Sequence, residues 1–191
     1  NWPFKRFFAA PITAIGGTNY YKSLFFPPQL VFVNRRLYVT FGSGERMNVG
    51  FKGISSRDEN NRFYVIKDTS PLVATGTTLT EANLTDITGD EDGATFANSG
   101  YYFKAADGEK FVTNVEIFAG HVIAASFTPS PAGSNPCTTR GNGTLYVFDI
   151  RNGEGFFDDG SGNAVRGLDI GAGLPTDPKV SVGVGGKNNR V

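Results

Sequence analysis

The sequence predicts an all-β protein that forms part of a β-propeller, with about two four-stranded blades and part of a third. A triplet of segments rich in β-branched and aromatic residues occurs twice along the chain. The composition, with 25 Gly, 17 Phe and 7 Tyr, also favours strands and turns, and no segment has sustained helical periodicity. Repetition of a sheet-sized unit is typical of propellers and other repeat architectures.

The first triplet comprises residues 28–33, 36–42 and 61–68, and we assign it to a blade over about residues 27–68. Each segment has the length and residue types of a strand. Residues 69–100, which are dominated by Thr, Gly, Asp, Asn and Ala, then form a predicted inter-blade insertion with few apolar anchors.

The second triplet comprises residues 114–118, 121–127 and 144–149, within a blade over about residues 110–150. Superposing Tyr64 on Tyr146 gives an offset of 82 residues, and superposing Phe41 on Phe127 gives 86. We therefore expect the copies to share one register with a small loop difference. A third blade begins at about residue 174 and contributes one strand.

Propeller blades explain the residue types in these segments. Residues 122–125 form an unbroken apolar run, which suits a strand covered on both faces by neighbouring sheets. The third segment of each copy ends in Asp, at Asp68 and Asp149, and a Gly-containing turn follows the second copy. This ending is typical of propellers of the quinoprotein type, although an ordinary hairpin turn of any antiparallel protein gives the same pattern.

Two copies do not close a propeller, which needs about four to eight blades. The chain begins at Asn1 and shows no signal-peptide hydrophobic region. We therefore expect either a processed protein or, preferably, an internal piece of a longer one, with all 191 residues inside one propeller domain.

Charge and hydropathy exclude two classes of partner. The 18 Lys and Arg residues balance the 18 Asp and Glu residues, so no long-range field attracts nucleic acid. The longest apolar run is far below the roughly 18 residues of a membrane-spanning helix, so we expect no membrane span in this segment.

We find no catalytic motif and predict a protein that is not an enzyme. His121 is the only histidine, and it opens a predicted strand without a Gly-x-Ser-x-Gly sequence elsewhere. No phosphate-binding glycine motif or zinc motif occurs.

Calcium is the one cofactor that the sequence suggests, and none is certain. Candidate ligands are Asp86, Asp90 and Asp92 in one Gly-containing loop and Asp158 and Asp159 in another. Neither loop has the spacing of an EF-hand, and a solvated acidic loop is the preferred explanation of each. Cys137 is the only cysteine, so it either stays free or forms a disulfide with a cysteine outside this chain.

An ordered set of segments resembles the C-terminal propeller of the PilY family, which comprises type IV pilus biogenesis and tip-associated proteins. The segments are residues 37–46, 61–68, 108–114, 127–129, 135–137 and 143–150. The resemblance implies a secreted or cell-surface β-propeller that works with minor pilins at the pilus tip, promotes pilus extension and contributes to adhesion to a host or abiotic surface.

The sequence also departs from the family pattern. The calcium loop that regulates retraction in some members has no match here, so calcium control is transferred to no residue. The second cysteine that often follows the Asn/Asp-Pro-Cys segment is also absent.

The family's Gly-Thr-Gly-x-Arg motif is matched by Gly42, Ser43, Gly44, Glu45 and Arg46. Glu45 and Arg46 could face the propeller axis or a partner pilin. In the structural interpretation, Arg46 ties residues 47–60 to the blade through hydrogen bonds to backbone carbonyls.

Three functions remain open from the sequence. The first is a non-enzymatic pilus-tip or adhesion module on the bacterial surface. The second is a pyrroloquinoline quinone dehydrogenase of similar propeller type, which would need a complete ring, Ca²⁺ beside the cofactor and blade-docking Trp residues, and the single Trp2 argues against it. The third is an extracellular scaffold propeller without a link to pili.

Overall fold

The computed structural model describes residues 6–47, 49–50, 60–69, 71, 78–93, 99–130 and 141–182. The predicted all-β class is confirmed. Across these ranges the regular structure is 14 strands and one 3-10 turn at Glu81–Asn83, and no α-helix is present. None of the described segments forms a helix that could span a membrane.

A small hairpin precedes the two main sheets. Its strands are β1 (Ile12–Ile15) and β2 (Thr18–Tyr21), which pair antiparallel. Gly16 and Gly17 both have positive φ angles, of 58° and 83°, which explains two glycines at the turn.

The first main sheet has five strands in the order β3-β4-β5-β7-β6. All neighbours pair antiparallel except β6 and β7, which are parallel. The strands are β3 (Gln29–Val33), β4 (Arg36–Gly42), β5 (Arg62–Asp68), β6 (Thr85–Asp86) and β7 (Gly100–Lys104). The β3–β4 turn places Asn34 and Arg35 at φ angles of 50° and 64°, as a two-residue hairpin turn requires.

The second main sheet also has five strands, in the order β14-β11-β10-β8, with β9 paired to the other end of β10. A separate hairpin, β12–β13, projects from the segment between β11 and β14. The strands are β8 (Lys110–Phe111), β9 (Glu116–Phe118), β10 (His121–Thr128), β11 (Asn142–Asp149), β12 (Phe157–Asp158), β13 (Ala164–Val165) and β14 (Gly167–Ala172).

Both sheets contain a four-stranded antiparallel meander with the same strand order, β3-β4-β5-β7 in the first and β9-β10-β11-β14 in the second. The first three strands of each meander are those of the predicted triplets. The fourth strands were outside the predicted blades at 27–68 and 110–150, because each follows a long insertion.

In chain order the segment 69–100 therefore falls between β5 and the first residue of β7, within the strands of the first sheet, and not between the two sheets. Its described part at residues 78–93 is also better anchored than its composition indicates. Leu84 and Ile87 are buried, and the backbone at Leu79 bridges to that at Phe8. The segment that follows β14, where a third blade was expected from about residue 174, forms no strand over residues 174–182.

The two sheets face each other across the main core, in which the rings of Phe63 and Phe148 stack with centroids 5.1 Å apart. Val31 and Val33 on β3 and Ile117 on β9 border this core. The buried side chains from both sheets are Tyr38, Phe63, Val65, Tyr101, Phe103, Phe111, Val115, Val122, Ala124 and Phe148. A smaller cluster of Phe41, Tyr64, Ile66 and Leu84 lies on the far side of the first sheet.

The predicted common register of the two copies is wrong. Phe41 and Tyr64 are direct cross-strand partners and therefore share a face of the first sheet. In the second sheet Phe127 pairs with Gly143, whereas Tyr146 pairs with Ala124. Phe127 and Tyr146 consequently lie on opposite faces, so the two superpositions cannot both hold.

Candidate functional site

The Gly42–Arg46 motif lies at the end of β4, where the first sheet meets the second. Ser43 is fully buried, and its hydroxyl oxygen accepts a hydrogen bond of 2.8 Å from the Arg62 N–H. Its carbonyl oxygen accepts one of 3.1 Å from the Phe111 N–H on β8. The motif is thus part of the backbone connection between the sheets.

The two glycines of the motif allow this close approach. A Cβ atom at Gly42 would lie 2.3 Å from the Phe111 Cβ. Gly44 has a φ angle of 146°, and a Cβ there would lie 2.9 Å from the Phe111 backbone nitrogen. Any side chain at either position would therefore push β8 away from β4.

Arg46 completes the connection with its side chain. The guanidinium Nη1 donates a hydrogen bond of 2.6 Å to the Val112 carbonyl oxygen, and the group lies 5.7 Å from the centre of the Phe26 ring. Glu45 is exposed. This geometry fits the structural interpretation of Arg46, although the carbonyl that it holds belongs to the second sheet and not to residues 47–60.

One cavity adjoins the motif at Arg46, and a second cavity shares Leu174, Thr176 and Asp177 with it. One has a volume of about 550 Å³ and lies between Phe25, Arg46 and Asp177. The other, of about 380 Å³, lies between the outer face of the second sheet and residues 174–180. Asp177 anchors this segment because its carboxylate accepts hydrogen bonds of 2.9 Å and 2.8 Å from the backbone and side-chain amides of Asn114.

The acidic loop at residues 86–93 does not gather its carboxylates. Asp86 forms an ion pair of 2.7 Å with Lys104 and accepts hydrogen bonds from Thr88. The Asp90 carboxylate accepts a hydrogen bond of 3.2 Å from the Asp92 N–H. The carboxylates of Asp86 and Asp90 thus have separate local partners.

A buried arginine lies on the inner side of this loop. Arg166, just before β14, is 1% exposed, and its guanidinium donates hydrogen bonds to the carbonyl oxygens of Ile87, Asp90 and Gly153. The Glu91 carboxylate lies 3.4 Å from Nη1. Burial lowers the pKa of Arg166 from its usual value, and the nearby Glu91 opposes that shift.

The second acidic pair forms the turn of the β12–β13 hairpin. The Asp158 carboxylate accepts a hydrogen bond from the Gly160 N–H at 2.6 Å, and that of Asp159 accepts one from the Ser161 N–H at 2.7 Å. Hydrogen bonds from the Asn163 side chain and from backbone N–H groups hold the pKa of Asp159 below its ordinary value. These are the interactions of a polar turn.

In both acidic loops the carboxylates serve turns or ion pairs, and a calcium site in either loop stays a prediction. In the part of the chain that the structure describes, no group of three or more His, Cys, Asp or Glu side chains could hold a metal. Cys137 lies outside the described residues, so its predicted free or externally bonded state stays a prediction.

A buried polar cluster in the second sheet was not found from the sequence. Glu109 is 2% exposed, and its carboxylate accepts hydrogen bonds from the Ala106 N–H at 2.7 Å and from the Ser126 hydroxyl. Burial and the neighbouring Glu109 carboxylate raise the pKa of Tyr146 well above its ordinary value. Each of these groups has a structural partner. In the sequence, the only indication of this cluster is the adjacent charged pair Glu109-Lys110.

His121 also has a structural setting, since its ring meets the Phe156 ring edge-on with centroids 5.0 Å apart.

No protein-family model matches the chain, and no curated protein or solved structure is similar to it at a significant level. The proposal of function therefore depends on the geometry and on the residues of the motif.

Proposed function

We propose that the chain is part of a β-propeller in which the two sheets are adjacent blades, and that it acts as a non-enzymatic type IV pilus biogenesis and tip-associated protein. It would work at the bacterial cell surface, with minor pilins as partners, and would support pilus assembly and adhesion. The observation that carries this proposal is the position of the Gly42–Arg46 motif at the junction of the two sheets.

The propeller part is supported by the arrangement of the meanders. Their first strands, β3 and β9, contact each other. Phe111 on β8 bonds to Ser43 just after β4 and pairs with Ser126 near the end of β10. Corresponding strand ends therefore lie on the same side, as in blades related by rotation about a central axis.

The non-enzymatic part is supported by how the buried charged groups are used. Arg62 bonds to Glu81 at 3.2 Å, Lys110 to the Gly108 carbonyl oxygen at 3.2 Å, and Glu109 to Ser126. Each of these groups holds a strand or turn in place.

A partner surface is available on the first strand of the first sheet. Among the described strands, β3 pairs only with β4. Leu30 and Phe32 on this strand are 60% and 62% exposed, on the face away from the main core. An exposed apolar edge strand is suited to contact with another protein or with a surface.

The test is piliation of a strain that lacks the protein, complemented with the full-length gene or with its Arg46→Ala variant. We expect loss of surface pili on deletion, full rescue by wild type, and rescue by Arg46→Ala in proportion to the folded protein present. Arg151→Ala, which removes an exposed arginine, is the matched control. Normal pili in the deletion strain would reject the pilus role and leave the scaffold alternative.

The enzyme alternative is tested separately. Adding pyrroloquinoline quinone and Ca²⁺ to the intact protein and recording absorbance and dye reduction should show neither tight binding nor turnover. Binding with activity would replace the proposed function by that of a quinoprotein dehydrogenase.

A further inference from the structure

Four oxygen atoms converge on the Arg166 guanidinium. Nε donates to the Gly153 carbonyl oxygen at 2.6 Å, Nη1 to that of Ile87 at 2.8 Å, and Nη2 to that of Asp90. The Glu91 carboxylate lies 3.4 Å from Nη1 and also accepts a hydrogen bond of 2.9 Å from the Arg166 backbone N–H. The Arg166 side chain itself is completely buried.

These four oxygen atoms are of the kind that coordinates a hard divalent cation. Calcium sites in loops combine backbone carbonyl oxygens with carboxylates. A guanidinium presents five N–H donors around a single positive charge and remains protonated in proteins. The guanidinium and a metal ion would therefore compete for the same oxygens.

We propose that the Arg166 guanidinium occupies the position of a bound metal cation in the 86–93 loop and thereby makes the loop independent of calcium. Removal of this side chain then opens a divalent-cation site formed by Ile87, Asp90, Glu91 and Gly153.

The position of Arg166 in the fold explains why such a cation is useful. Ile87 and Asp90 belong to the insertion of the first sheet, whereas Gly153 and Arg166 belong to the second. A second contact supports the same junction, because the Gly155 N–H donates a hydrogen bond of 2.9 Å to the Glu91 carbonyl oxygen. The guanidinium thus holds the two sheets together at the point where the loop carbonyls would otherwise face each other without a donor.

The experiment compares wild type with Arg166→Ala, Arg166→Lys and the exposed control Arg151→Ala, each stripped of metal with a chelator and then titrated with CaCl₂ alone. Thermal unfolding gives the Tm, and isothermal titration calorimetry gives binding. We expect the Tm of wild type and of Arg151→Ala to shift by less than about 1 °C with calcium.

For Arg166→Ala we expect a Tm about 10 °C below that of wild type. Calcium at ten times its Kd should then raise the Tm by about 4 °C. Arg166→Lys keeps a positive charge at the site, so its Tm should fall less and should not respond to calcium.

Two results would overturn the proposal. One is an Arg166→Ala variant that is destabilised but neither binds nor responds to calcium, even though ethylguanidinium restores its Tm. The other is wild-type protein whose backbone amide signals over residues 86–93 shift on calcium binding. Because this second measurement uses only wild type, it tests the calcium independence of the loop even if Arg166→Ala fails to fold.

Discussion

Arg46 and Arg166 hold the same two sheets together at different places, and they do so in different ways. Arg46 is half-buried, bonds to one carbonyl oxygen of the second sheet and lies over the Phe26 ring. Arg166 is buried, bonds to three carbonyl oxygens and faces Glu91. Solvent can replace what is lost at Arg46, whereas the Arg166 side chain is completely buried, as are Ile87 and Gly153, whose carbonyl oxygens it binds.

The difference shows that a sequence motif does not rank interactions by strength. The side chain in the recognisable Gly-Ser-Gly-Glu-Arg sequence makes one hydrogen bond across the junction. Three come from an arginine whose neighbours, Val165 and Gly167, carry no motif. Leaving a buried acceptor without its donor costs more than losing an exposed hydrogen bond.

The largest effect is expected from Arg166→Met, which keeps most of the side-chain volume but removes all three donors. Loss of one partner from a buried ionic group should lower the free energy of unfolding by about 4 kcal/mol. Urea unfolding followed by fluorescence measures this change. A loss below about 1 kcal/mol would show that the carbonyls find other donors.

The next effect is expected at the Arg46 side from Gly44→Ala. The φ angle of 146° and the backbone nitrogen of Phe111 at 2.9 Å from the new Cβ both oppose a side chain. Strain and displacement of β8 together should cost about 3 kcal/mol. Gly89→Ala is the control, because its Cβ would have no neighbour within 4 Å, and circular dichroism melts of the pair should separate clearly.

A smaller effect is expected from Arg46→Met, the same substitution as at Arg166. One hydrogen bond to Val112 and one ring contact should be worth about 1 kcal/mol. Urea unfolding of the two methionine variants side by side compares the two contacts directly. Equal losses at the two positions would contradict the comparison.

The smallest effect is a pH dependence beside Arg46. Hydrogen bonds from Asn114, with a smaller contribution from the positive charges of Lys179 and Arg46, lower the pKa of Asp177 in the folded chain. Its stabilisation is therefore complete above the unfolded pKa of about 3.9 and is lost as the pH falls through the folded pKa. The effect should be about 0.5 kcal/mol because the group is near the surface.

This last prediction is checked by nuclear magnetic resonance. The Asn114 amide signals should shift below about pH 4 in wild type. In Asp177→Asn, which cannot ionise, that titration should disappear. A titration that persists in the variant would assign it to another group.

The sequence predicted the first three strands of each meander because each has a continuous run of strand-forming residues. It did not predict the fourth strands, Gly100–Lys104 and Gly167–Ala172, since they lie beyond long polar insertions and outside the repeated triplets. The register failed for a related reason. Tyr146 and Phe127 look equivalent to Tyr64 and Phe41 by residue type, but sheet faces alternate with every residue.

At the candidate sites, residue types were predictable but partners were not. The 86–93 loop has the composition of a calcium loop, but the positive charge that its carbonyl oxygens bind is the guanidinium of Arg166, 76 residues after Asp90. The Gly42–Arg46 motif was recognised in the sequence from its two glycines, and glycine permits close backbone approach. Only the fold reveals that β8 is the strand it approaches.

The late fourth strands also affect how the chain acquires its structure. β5 must wait for residues 100–104 before its free edge is paired, and β11 must wait for residues 167–172. During synthesis each sheet therefore exposes an unpaired edge until its insertion has been translated. We expect folding with many long-range contacts and slow kinetics, and a need for chaperone protection of those edges before the last strand docks.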